Sequence, residues 1–257
     1  MDPLFNFPFG ETVKRLVQED RTPKKVFVLG VYASAVHARW TIGTELKCAA
    51  LAVASEPRIF WDGNPQEAAD IISRIKLPEG AGTLRPAGRN LNGPSAKVLD
   101  EHILAPLGFT RKEAWLCDLL PETRLNDGQQ KVRDGAYKEC REKYGLNEVT
   151  VPDRPTEFCD KVRCREILAE LEESKAELLI LLGDIPIKQF LNVVASVDYS
   201  TLQEYKDHYG YGNPTEVSIN CRTINVLPLA HPRQIGGLGF HSKGWKYIHQ
   251  TWENKKQ

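Results

Sequence analysis

Three short apolar runs constrain this chain more than any other feature. They are Val26-Phe27-Val28-Leu29, the apolar part of EAWLCDLLP at 113–121, and LLILLG at 178–183. Each is strand length and none alternates with polar residues. A strand that is apolar on both faces must be covered on both faces, which a parallel sheet flanked by helices achieves. Segments of helical character lie between and after them, at 65–76, 95–108, 165–177, 185–194 and 242–255. Ser95 reads as the N-cap of the second and Gly108 as its stop. Residues 49–55 add a strand, and 215–232 a strand pair ending at His231. The fold expected is α/β: one doubly wound, open, mainly parallel sheet with helices on both faces, a single domain over 1–257. Gly30 is expected to end the first strand, followed by a turn and a polar-aromatic segment with His37, Arg39 and Trp40. Residues 77–94, rich in Gly and Pro, read as the one long loop, and 126–155 as a polar excursion over the surface.

Composition removes several classes of function. No apolar run approaches the ~20 residues of a membrane span. The start, MDPLFNFPFGETVKRL, lacks the basic-then-apolar layout of a signal peptide, so a cytoplasmic protein is expected. Lys and Arg number 34 and so do Asp and Glu. With no global basic field, any nucleic-acid site must be a local patch. The six cysteines contain no Cys-x-x-Cys. Cys159 and Cys164, with Cys140 upstream, admit a metal or iron–sulfur centre, but reduced, buried thiols are the favoured reading. No metal and no cofactor are expected.

In open parallel sheets, ligands bind beyond the carboxyl ends of the strands. Four ends carry suitable chemistry: Gly30 onward, Cys117-Asp118-Leu119-Leu120-Pro121, Gly183-Asp184-Ile185-Pro186 and Ala230-His231-Pro232-Arg233. Gly30, Asp118 and His231 are expected at one edge, within about one nucleobase of each other. Singly they are ordinary: a lone His231 is more often structural, and Asp118 could cap a turn.

Taken together and in order, these segments resemble the uracil-DNA glycosylase superfamily over roughly residues 24 to 252, with 125 to 160 poorly matched. The likeness rests on the turn at Gly30, on CDLLP where the family has a base-reading Asn, on LLILLGDIPIKQFL, and on LAHPRQIGGLGFHSKGW, similar to the family's His-Pro-Ser loop. PSAKVLDEHI also looks like the helix after the first motif. The resemblance implies an enzyme that flips a nucleotide out of DNA and hydrolyses its N-glycosidic bond. Flipping costs a few kcal/mol and needs a wedge in the vacated space; Ile235, Leu238 and Phe240 are the candidates. Arg233 and Lys243 would hold phosphates. His231 would donate to the base carbonyl as the leaving base gains negative charge.

The departures from the family are as informative. Where the family often carries a water-positioning acid, this chain has Val31 and Tyr32. Glu56 and Asp62, after the second strand, are the nearest substitutes, Glu56 the preferred; the alternative is that both are surface acids. Ser34 replaces a bulky Tyr that blocks substituents on base carbon 5. Asp118 replaces the base-reading Asn, and a carboxylate suits the exocyclic amine of cytosine. With the carboxylate's second oxygen near N3, one proton must be shared between them. The base-binding set is Gly30, Tyr32, Ser34, Val53 and Asp118. These changes point to a cytosine with a group on carbon 5. Ordinary cytosine would be an unsafe substrate for the host, whereas hydroxymethylated or glucosylated cytosine marks phage DNA. The resemblance extends to bacterial antiviral defence glycosylases against such bases, with 77–94 as a cover for the extra group. The expected partner is DNA, including modified phage DNA, met by a monomer. The alternatives are a uracil or damaged-base repair glycosylase, or a catalytically silent nucleic-acid-binding relative.

Overall fold

The computed structural model describes residues 4–88, 90–238 and 241–256. The chain groups into two compact units, each built from three separate stretches. The first takes Met1–Leu16, Ala33–Pro94 and Glu122–Thr156; the second takes Val17–Tyr32, Ser95–Pro121 and Glu157–Gln257. The strands are β1 (Val26–Tyr32), β2 (Ala35–Ile42), β3 (Glu45–Ser55), β4 (Thr83–Pro86), β5 (Ala114–Leu120), β6 (Leu178–Leu182), β7 (Thr215–Ile219) and β8 (Arg222–Leu229).

The second unit holds a five-stranded sheet in the order β5-β1-β6-β8-β7. The first four strands are mutually parallel and β7 runs antiparallel at the edge. The α/β expectation therefore holds, with a mixed, mostly parallel sheet. Its central strands are the apolar runs: Val26 to Leu29 and Leu179 to Leu182 have no exposed surface. Helix Lys161–Ser174 packs on β5, and Leu202–Tyr209 on β8. The edge strand β7 alternates buried and exposed residues, as an antiparallel strand with one wet face should. Asn220 and Cys221 join it to β8, and both take positive φ (53° and 63°), as the tight hairpin turn requires.

Several local expectations are corrected. The run KKVFVLGVY at 24–32 does contain a strand, β1, but Gly30 does not end it: Gly30 lies within it, paired with Asp118, and the strand runs on to Tyr32. Ser95 is not an N-cap, because Pro94 already opens the helix. Gly108 does end that helical stretch, in the left-handed conformation (φ 78°). The helix expected from 165 starts at Lys161, because Asp160 accepts from the Val162 and Arg163 amides at 2.9 and 2.8 Å.

The first unit is built on an antiparallel sheet, β3-β2-β4. Residues 35–42, expected after a turn, are strand β2, whose Trp40 is fully buried and donates to the Ala81 carbonyl at 2.8 Å. Residues 77–94 contain β4, paired to β2, so this stretch is not simply a loop. Asn92 pins its far end, accepting from the His37 amide at 2.8 Å and donating to the His37 carbonyl at 3.1 Å. Nor is 126–155 a surface excursion. It forms helices Asp127–Val132 and Lys138–Tyr144, and plugs Tyr137, Cys140, Leu146 and Val151 into the unit's cores. A few well-spaced apolar residues are enough to bury one face of a polar helix.

Candidate active site

In chain order, β5 is laid on one side of β1 and β6 on the other, so the strand order reverses between β1 and β6. Such a reversal opens a crevice at the carboxyl edge. Gly30 pairs with Asp118 across β1 and β5, and Leu182 with Leu229 across β6 and β8. Gly183 is one residue beyond that level and His231 two. All four strands run the same way, so Gly30, Asp118, Gly183 and His231 share this edge. Three strand spacings of ~4.8 Å put the backbones of β5 and β8 about 14 Å apart.

Asp118 is the most unusual group at this edge. It is 4% exposed, and among the described residues no donor is hydrogen-bonded to its carboxyl. Side chains alternate along a strand, so Cys117 and Asp118 face opposite ways. The buried Arg163 serves the Cys117 side: its Nη2 donates to Cys117 Sγ (3.1 Å) and to the Asp118 main-chain carbonyl (2.8 Å). Its Nη1 pairs with Glu166 at 2.9 Å and Glu170 at 3.1 Å. Arg163 thus clamps the strand backbone without bonding to the Asp118 carboxyl. Burial pushes the Asp118 pKa up to about 7, with the charge of Arg163 pulling the other way. Near neutrality Asp118 therefore exists about half as a carboxylic acid, with an O–H donor and a C=O acceptor side by side. A strongly perturbed acid in a cleft is a mark of functional sites.

His231 is the N-cap of helix Pro232–Ile235. The Arg233 amide donates to its Nδ1 at 3.2 Å. An N–H can only donate, so Nδ1 is bare and the ring proton sits on Nε2. Behind it, Gly183 takes φ 86°, donates to the Leu229 carbonyl at 2.8 Å, and would bring a Cβ within 3.4 Å of His231 Cβ. A chain of hydrogen bonds fixes the residue before the histidine. The Ala230 amide donates to Tyr211 Oη (3.1 Å), which lies 2.6 Å from His249 Nδ1, and His249 Nε2 is 2.7 Å from the His102 carbonyl. A carbonyl can only accept, so the His249 proton is on Nε2 and Tyr211 donates to Nδ1. Burial lowers the His249 pKa, keeping it neutral. Sequence reading missed Tyr211, His249 and Arg163, since nothing local marks a polar residue that tertiary packing will bury.

The remaining expected residues fall as follows. Tyr32, at the end of β1, stacks on the buried Phe158 at 5.9 Å. Arg233 and Lys243 are exposed. Of the three wedge candidates, Ile235 is buried, Leu238 is 43% exposed, and Phe240 lies outside the described residues. In the first unit, Ser34 is exposed and its carbonyl accepts from Thr123 Oγ1 at 2.8 Å. Val53 is fully enclosed in that unit's core. Glu56 is 4% exposed, so it is not a surface acid. The Asp62 side chain is 47% exposed and ion-paired with Arg58 at 3.1 Å. Among the described residues, no three His, Cys, Asp or Glu side chains are grouped to hold a metal.

No family model matches this chain, and no curated protein matches it.

Proposed function

We propose that this protein is a DNA glycosylase of the uracil-DNA glycosylase kind, acting on a cytosine modified at carbon 5 and leaving an abasic site. The observation that carries the reading is the buried Asp118 carboxyl at the carboxyl edge of the parallel sheet, to which no donor among the described residues is hydrogen-bonded. As an acid, it offers its O–H to cytosine N3 and its C=O to the N4 amine. This removes the lone-pair clash that a carboxylate would create. The C1′–N1 bond then breaks, water adds to C1′, and the departing base takes up negative charge. His231, with its proton held on Nε2, is in the protonation state that donates to the base O2 as this charge grows.

The same acid favours one second reading. With O–H and C=O exchanged, Asp118 would meet the O4 and N3–H of uracil equally well. The discriminating experiment incubates the protein with unmodified, uracil-containing, hydroxymethylated and glucosylated DNA and counts abasic sites. Release confined to the modified cytosines supports the proposal. Release confined to uracil transfers the reading to repair. Binding without any abasic sites would refute glycosylase activity and leave a silent DNA-binding protein.

A further inference from the structure

Two buried thiols meet at the start of helix Lys161–Ser174. Cys159 Sγ and Cys164 Sγ are 2.9 Å apart. A disulfide bond is ~2.0 Å long, so bonding asks each sulfur to move by well under about 1 Å. The pair has two distinct sides. On one side, Cys164 lines an open groove of about 460 Å³ with Lys161, Arg165 and Val193. Inward, Cys159 follows Phe158, whose ring stacks on Tyr32 at the end of β1. Gln189 spans both sides: its Oε1 accepts from the Phe158 amide at 2.5 Å, and its carbonyl lies 3.7 Å from Cys164 Sγ.

We infer that Cys159 and Cys164 form a reversible dithiol–disulfide pair whose oxidation shifts Phe158 and, through it, the Tyr32 ring at the candidate active site. The oxidant class is a peroxide. Cys164, as thiolate, attacks one peroxide oxygen; the O–O bond breaks, giving a sulfenic acid and, with a proton, one water. The Cys159 sulfur displaces the sulfenic oxygen as a second water, and the S–S bond forms. Two thiols lose two hydrogens and two electrons, and one peroxide becomes two waters. A small dithiol reverses the step by two exchanges and is itself oxidised to a disulfide. Burial and the neighbouring sulfur push the Cys159 thiol up.

The test needs no base excision. The full chain is treated with hydrogen peroxide, free thiols are alkylated, and peptides are mapped by mass, in wild type and in a Cys221→Ser background that removes the exposed thiol. The expected result is loss of two of the six free thiols as one Cys159–Cys164 linkage, restored by a dithiol. Amide exchange should shift in peptides covering 156–160 and 30–34. Cys159→Ser and Cys164→Ser should each lose the linkage; if either fails to fold, the wild-type map decides. Both thiols staying reduced at doses that oxidise Cys221 would overturn the inference. So would a linkage that leaves exchange at 30–34 unchanged.

Discussion

Replacing Asp118 by Asn should make the protein more stable in alkaline solution. The carboxyl titrates at about 7 in the folded chain, against about 3.9 in an unfolded one. An acid whose folded pKa is raised weakens folding once the unfolded chain ionises. The penalty is absent below about pH 4, grows between about pH 4 and 7, and is complete above that. Each pH unit in this window is worth about 1.4 kcal/mol, so the full penalty is about 4 kcal/mol. Asn keeps the shape and cannot ionise. At about pH 8 the variant should therefore melt on the order of 10 °C higher, using ~2–4 °C per kcal/mol for a chain of this size. At about pH 4 the two proteins should melt together. Thermal unfolding followed by circular dichroism across this range is the assay. A variant no more stable than wild type at about pH 8, or a gain that persists unchanged at about pH 4, would refute the buried carboxyl. The functional counterpart is that base release by the wild type should fall as pH rises through 7, while Asp118→Asn flattens that dependence.

Three further outcomes are expected. His231→Ala should slow single-turnover base release by about 10²–10³-fold with DNA binding retained; equal loss of both would return His231 to a structural role. Glu56→Gln should shift the melting temperature while Asp62→Asn leaves it near wild type, because Glu56 is buried and Asp62 sits in an exposed ion pair with Arg58; equal melting of the two variants would refute this. Tyr211→Phe deletes the hydroxyl between the Ala230 amide and His249, so it should cost about 1–3 kcal/mol in denaturant unfolding and slow base release. An unchanged midpoint and rate would show that this hydroxyl does not position His231.

The apolar runs at β1, β5 and β6 were legible without coordinates, since a strand buried on both faces leaves no freedom in composition. The direction of the sheet followed from the helices between them, and with it the shared edge for Gly30, Asp118 and His231. β2 was hidden by His37 and Arg39, although its burial alternates with a strand's period of two. Helices Asp127–Val132 and Lys138–Tyr144 were hidden by polar outer faces, because the burial of Tyr137 depends on residues far away in sequence. Asp118 shows the division most clearly. Residue order alone places an aspartate near the end of a strand. Whether it ionises there depends on what excludes water from it and on the Arg163 charge, which arrives from another helix. A pKa responds to every atom within a few ångströms, whatever its place in the chain. The same holds for the proton on His231 Nε2 and for the meeting of Cys159 with Cys164. Strand, edge and residue type were written locally; protonation, burial and contact were decided by the tertiary fold.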